Sequence, residues 1–324
     1  MIRRRSVLLA ALSLGAARFA RAQGARESWP ARPIRLIAPF PAGGPIDVMA
    51  RLIAQQLSTR IGQVIVENRP GAGATLGAKS VATADPDGYT LLLGSSGSLA
   101  IGPALYPSAG YDPVRGFVPI ALVSDVPYVM VSAVQARFRS VAELLAGARA
   151  NPGKLNFGVP NGAMPHMLAL MFRQLTGADI TVVPYKGAAT VITDLIGGQI
   201  DLGFETTSVM LSHLHEGKVR GLAVIGETRL PQLPDLPTMA ESGVPDLVGS
   251  SWTGILAPAG TPSDIVARLR VAVIDSVTSR DLSDKFAALG ARSRILSQAE
   301  FSDFIASEAQ RLSTIIRLSG AKGE

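Results

Sequence analysis

Along residues 33–57, PIRLIAPFPAGGPIDVMARLIAQQL, the spacing of apolar positions changes period midway. Ile34, Leu36 and Ala38 alternate as a strand does, while Ile46, Met49, Ile53 and Leu57 recur at helical spacing and leave Arg51, Gln55 and Gln56 on the other face. Between them lies a Gly43-Gly44 turn followed by Pro45, which suits a first helical position because its missing N–H is not needed there. The unit leaves unpaired amides at the positive end of a helix dipole. It reads either as an anion cradle or as a plain tight turn.

The same periodicities along the chain predict strands at 64–68, 89–93, 117–133, 155–159, 180–183, 200–204 and 253–257. Helices are predicted from the glycines at 71–77 to about Ala84, to Ala150 behind a Ser140/Glu143 capping box, from Pro165 with Leu168, Met171 and Leu175 on one face, and over 188–196. Three more follow at 262–279, 281–289 and 298–318, the last behind a Ser297/Glu300 box. Alternating β and α elements argue for two parallel-sheet α/β domains, whose ligands bind beyond the strands' C-terminal ends. The long strand 117–133 is expected to cross between the domains near Val126, and the proline-rich stretch 230–262 to carry the chain back. The resulting division is 29–126 with 227–324, and 127–226.

Length and composition fit this: 324 residues at 47% hydrophobic content allow two cores. Residues 1–22 have a basic start, a short apolar middle and an Ala20-Arg21-Ala22 end, the pattern of a cleaved export signal. That segment holds five arginines and no acid, so removing it takes the formal charge from +6 to +1. A nucleic-acid partner loses its support, since the remainder has no basic run to track a phosphate backbone. There is no cysteine, which excludes disulfides, thiolate catalysis and a lipidated-cysteine tether.

Cofactor motifs fail on spacing. Gly71, Gly73 and Gly77 place the third glycine four residues after the second where a dinucleotide fingerprint needs three, and Gly77-Ala78-Lys79-Ser80 interrupts a phosphate loop with Ala78. No cofactor is expected. The loop Gly94-Ser95-Ser96-Gly97-Ser98 has Ser98 where a nucleophile elbow needs Gly; Ser95 and Ser96 either donate to a ligand or cap the next helix. His213 and His215, two apart with no third ligand near, read as surface residues rather than a metal site. His166, in the first turn of a helix after a glycine-containing loop, either meets a carboxylate or is bonded locally. Asp47 complements its helix dipole or contacts a ligand donor, and Lys186 either neutralises a second carboxylate or is solvated. An exported serine hydrolase would need His166 as its base.

Several ordered motifs, 38–44 (APFPAGG) with Asp47 and Ala50-Arg51, 67–73 (ENRPGAG), 85–90 (DPDGYT), 184–187 (PYKG) and 198–201 (GQID), resemble the Bug family of tripartite tricarboxylate transporter substrate-binding proteins. The resemblance runs from about Trp29 onward. It implies a two-lobed type II periplasmic binding protein fold, each lobe a mostly parallel sheet flanked by helices, acting as a monomeric receptor that delivers a small carboxylate to a membrane permease. A receptor that reports to a membrane sensor is the alternative. It also implies a carboxylate held by backbone amides between Phe40, Ala42, Gly43, Gly44 and Asp47 on one side and Asn161, Gly162, Ala163, Met164 and His166 on the other. Met164 and Pro165 depart from the family's hydroxyl-rich second loop. Glu205 stands where relatives carry Asp, placed to meet an ammonium or hydroxyl.

Overall fold

The computed structural model of the chain describes residues 29–319; the stretch 1–22, expected to be a cleaved export signal, lies outside the described residues. Three parallel strands and their helices open the first lobe. β1 (Ile34–Ala38) lies between β2 (Val64–Asn68) and β3 (Thr90–Ser95), parallel to both. Flanked on both edges and covered on both faces, β1 buries Ile34, Leu36, Ile37 and Ala38, which is why its sequence is apolar nearly throughout. Helix α1 (Pro45–Ile61) lays Met49, Ile53 and Leu57 on that sheet, as its 3.6-residue period requires. α2 (Thr75–Ala82) follows β2, and a π-helical turn at Gly97–Ile101 follows β3.

β4 (Phe117–Ala133) belongs to both lobes. Its first part pairs antiparallel with β9 (Ser250–Pro258) as far as Pro127↔Ser250, and β9 in turn pairs with β3. From Tyr128 onward β4 pairs with β7 (Leu202–Thr206) and β8 (Val219–Ile225). The second lobe adds β5 (Leu155–Pro160) and β6 (Ile180–Tyr185), which are parallel to each other, with β5 also parallel to β7. The continuous strand order is β2-β1-β3-β9-β4-β7-β5-β6.

Two capping boxes form at the residues that predict them. The Glu143 amide donates to Ser140 Oγ, and Ser297 and Glu300 exchange bonds at 2.7 and 3.2 Å. Helix α3 (Met164–Thr176) buries Leu168 and Met171, but Leu175, placed on the same face by spacing, is 44% exposed because the helix ends one turn past the core. A helix at Thr207–His215 and strand β8 escape the sequence reading: TSVMLSHLH interleaves polar and apolar residues too finely for a clear period.

The return stretch departs from expectation. Met239 donates to the Val224 carbonyl, and Met239, Val244 and Leu247 join the core built around Phe157 and Leu202, so residues 227–249 pack with the second sheet. Helix α4 (Gln298–Ser319) touches both cores: Phe301 and Ile305 pack with Trp252, Leu312 and Ile315 with Leu168 and Met171. Among the described residues no helix is long and apolar enough to cross a membrane.

Candidate functional site

A cavity of about 650 Å³ opens where β1, β3, β5 and β7 end, between the two sheets. The first lobe supplies Phe40 and Pro41 after β1, Ile46 and Met49 from α1, the loop from Pro70 to Ala74, and Ser95, Ser96 and Gly97 after β3. The second supplies the turn Pro160–Pro165 and Glu205, Thr206 and Ser208 around the end of β7. The crossing strands form the floor. Ser124, Val126 and Tyr128 of β4 line it at every second residue, as do Ser251 and Thr253 of β9, because alternate side chains share a face.

Most of this lining is apolar, and its polar groups are few and specific. Ser124 Oγ and Thr253 Oγ1 lie 2.6 Å apart, pinning the two crossing strands to each other. The Tyr128 phenol is bonded to Ser251; burial pushes its pKa upward, and the Glu205 carboxylate adds to the shift. Glu205 Oε1 accepts from the Thr206 amide at 2.7 Å and from Thr206 Oγ1 at 3.1 Å. Burial nonetheless raises the Glu205 pKa above the usual carboxylate value. Ser95 is buried, and its Oγ has no partner among the described residues. An unpaired hydroxyl of this kind is costly unless something that enters the site satisfies it.

The loops that meet over the cavity are closed by one device used twice. Gly43 donates its amide to Asp47 Oδ2 at 2.9 Å, and Gly162 donates to His166 Nδ1 at 3.2 Å, each from a turn to a side chain four residues later. Asp47 also accepts from Arg51 at 3.0 Å and from Asn68 at 2.9 Å. The Arg51 bond is the largest cause of a carboxyl pKa lowered to about 2. Burial lowers the His166 pKa; as an acceptor at Nδ1, the neutral ring carries its proton on Nε2. The Asn161 and Ala163 amides donate to the Tyr185 and Pro160 carbonyls.

Of the residues singled out in the sequence, Phe40, Ser95, Ser96, Asn161, Gly162, Ala163, Met164 and Glu205 converge on this cavity. Ala42, Gly43, Gly44, Asp47, His166 and Lys186 are not among its lining residues, and Lys186 is exposed. The amides of Gly43, Asn161, Gly162 and Ala163 already donate within the protein. His166, bonded to Gly162 and outside the lining, does not join Ser95 and Ser96 as a base would. Sequence reasoning missed Ser124, Tyr128, Ser251 and Thr253. The available signal was hydroxyl groups at period two within otherwise apolar strands.

Two close approaches shape the walls. A Cβ at Gly97 would stand 3.0 Å from the Phe40 ring, and one at Gly73, where φ is +61°, would stand 2.8 Å from the Tyr106 ring. Beside Gly73, Ala72 and Ala74 also hold positive φ, 44° and 74°. L-residues held there carry strain that the surrounding structure must offset.

The chain matches the family model described as the tripartite tricarboxylate transporter family receptor over residues 49–320. It is 40% identical to protein BugT of Bordetella pertussis over 299 residues, 91% of this chain and 92% of that one. It is similar to the structure of the R. palustris protein Rpa4515 with adipate, at 35% identity and a TM-score of 0.78, covering 91% of this chain and 99% of that one. MatC from Rhodopseudomonas palustris, solved with bound malate, aligns at 31% identity and a TM-score of 0.75, covering 89% and 100%. Two lobes on one shared strand, with a cavity at the strand ends between them, are the architecture of the type II periplasmic binding proteins. By the extent of these matches, the chain belongs to the tripartite tricarboxylate transporter receptor family, the Bug proteins.

Proposed function

We propose that this chain is a periplasmic receptor that takes a small carboxylate into the interlobe cavity, closes its lobes around it and delivers it to a membrane permease of the tripartite tricarboxylate type. The observation that supports this most directly is the cavity itself. It draws its lining from both lobes, so a bound solute bridges them, and relatives of the same architecture hold adipate and malate. The carboxylate lies against the Ser95 and Ser96 side of the cavity, where the Ser95 hydroxyl stands without a partner. The body lies on Phe40, Ile46, Met49 and Tyr106. Removing water as the lobes close strengthens each of these few polar bonds. With Gly43 and Gly162 each closing its own turn, these loops shape the site and side chains share the anchoring with whatever main-chain donors remain.

The test is thermal unfolding of the chain from about Gln23, stripped of retained solute, against mono-, di- and tricarboxylates. A ligand present at a hundred times its dissociation constant adds ~2.7 kcal/mol to stability. A hit confined to carboxylates supports the reading. A folded protein silent toward all of them overturns it.

A further inference from the structure

Where β4 passes from one lobe to the other, the lobes are tied by a bond that lies outside the cavity lining. In the first lobe, the helix Arg280–Ala288 ends in a turn at Gly290, where φ is +65°. The Gly290 amide donates to the Ala287 carbonyl and the Ala291 amide to the Phe286 carbonyl, both at 2.9 Å, a pairing that often ends helices. The second of these bonds fixes the peptide that carries the Gly290 carbonyl. Thr207, which opens the helix Thr207–His215 of the second lobe, is fully buried and donates from Oγ1 to that carbonyl at 3.2 Å. A Cβ at Gly290 would stand 3.1 Å from the Ser208 amide nitrogen and 3.2 Å from Thr207 Oγ1, so glycine also admits the approach.

Both ends of this bond are anchored on β4. Beyond Gly290, Arg292 and Ser293 pair antiparallel with Asp125 and Ser124, and Arg292 donates to the Asp125 carboxylate at 3.0 and 2.8 Å. Before Thr207, Thr206 pairs with Tyr128. The bond therefore closes a ring around Val126 and Pro127, where β4 leaves the first sheet for the second. The lobes also meet through apolar packing, in which Ile101 and Leu105, which follow β3, join Met164 and Leu168 in the core around Phe157. Such packing is non-directional, whereas a hydrogen bond to a fixed carbonyl sets an angle. Thr207 is outside the lining, but its neighbours Thr206 and Ser208 belong to it.

We infer that Thr207 is a positioning residue. Its bond to Gly290 braces the hinge and sets the angle between the lobes, and with it the distance from the Ser95 side of the cavity to the wall at Thr206 and Ser208. The consequence for binding rests on the receptor reading above. A chain without the brace samples a wider range of lobe angles, and apparent affinity falls with the fraction that fits the solute.

The experiment reads the lobe angle directly. The chain has no cysteine, so spin labels attach only at introduced sites. Arg149→Cys in the second lobe and Val271→Cys in the first put them on exposed helix positions. Pulsed dipolar distances without solute are compared for the chain with Thr207 intact, for Thr207→Val, which keeps the shape and removes the donor, and for Thr207→Ser, which keeps the donor. The expected result is a broadened or displaced distribution for the valine form and an unchanged one for the serine form. Binding is then read by calorimetric titration with adipate, malate and any further acid that stabilises the chain in the thermal screen. The valine form is expected to weaken binding at least fivefold and the serine form less than twofold. Thermal unfolding shows that each variant is folded; should the valine form not be, Thr207→Ala takes its place with the same expectation. Valine-form distances equal to those of the intact chain overturn the brace even where the thermal midpoint falls, since a bond that only holds the fold together would lower the midpoint alone. A serine form as altered as the valine form overturns it too. Distances that move while dissociation constants stay put overturn the positioning role. A chain that binds none of the carboxylates overturns the receptor reading instead, and the distances alone then decide the brace.

Discussion

The Gly43 amide donates to the Asp47 carboxylate at 2.9 Å, so the Gly-Gly turn before α1 is closed by the helix it opens. Asn68, at the end of β2, reaches the same carboxylate and the Phe40 carbonyl, which fastens the turn to the sheet edge. Asp47 thus holds Phe40 in place without itself touching the cavity.

Asp47→Asn is expected to cost ~1–2 kcal/mol of stability at neutral pH, since it removes a charge from bonds to Arg51, Gly43 and Asn68. The pH dependence has a definite sign. The native carboxyl is held at about 2, below its ordinary 3.8, so its stabilisation is fully present above about pH 4 and disappears as pH falls through 2. Urea unfolding of both proteins at pH 7, 4 and 2.5 checks this; a gap that stays constant over that range contradicts it.

Gly97→Val tests the wall between Ser96 and Phe40. Its Cβ would meet the Phe40 ring at 3.0 Å and drive it toward the cavity. Ligand affinity is expected to fall at least tenfold, with the thermal midpoint of the free protein changed by only a few degrees. An unaltered dissociation constant would place Phe40 outside the ligand's reach.

The strained loop gives a prediction of the opposite sign. Ala72 sits exposed at φ 44°, a conformation glycine adopts freely. Ala72→Gly is expected to stabilise the protein by about 0.5–1 kcal/mol, read from the urea midpoint. A lower midpoint would show that the alanine methyl contributes packing worth more than the strain.

Asp125 is 1% exposed and depends on Arg292, which donates to Oδ2 at 3.0 and 2.8 Å, while Oδ1 has no partner among the described residues. Arg292→Ala strands that carboxylate and is expected to cost ~2–4 kcal/mol. Asp125→Asn in the same background should recover part of the loss, because the group left behind is then neutral. Equal instability of the single and double variants would remove charge burial as the cause.

Much of the architecture was legible because most strongly periodic stretches buried the face their period marked. α1 and the full extent of β4 are cases in which local pattern and tertiary environment agree. The misreadings have particular causes. Residues 227–249 contain few regular elements, and what assigns them to the second sheet is the long-range bond between Met239 and Val224. Leu175 follows the helical period but outruns the surface that would cover it. At the site, the loops at strand ends were readable from glycine and turn chemistry. Ser124, Tyr128 and Thr253 were not, since which strands lie beside β4 is decided by pairing with segments far along the chain. That Gly43 and Gly162 spend their amides internally was foreshadowed by an acceptor four places on, in Asp47 and His166.

Because β4 is a single strand serving two sheets, it constrains how proteins built on this plan can vary in length. Ser124, Val126 and Tyr128 share the cavity face only while the count of residues between them is kept. Adding or deleting one residue there would turn all the side chains of one half to the opposite side while the other half stayed put, separating Tyr128 from Ser124. The turns at 41–44, 70–74 and 161–163 lie outside the strands and carry no such parity constraint. A new solute preference is therefore reached by exchanging side chains along the floor and by lengthening or shortening the rim.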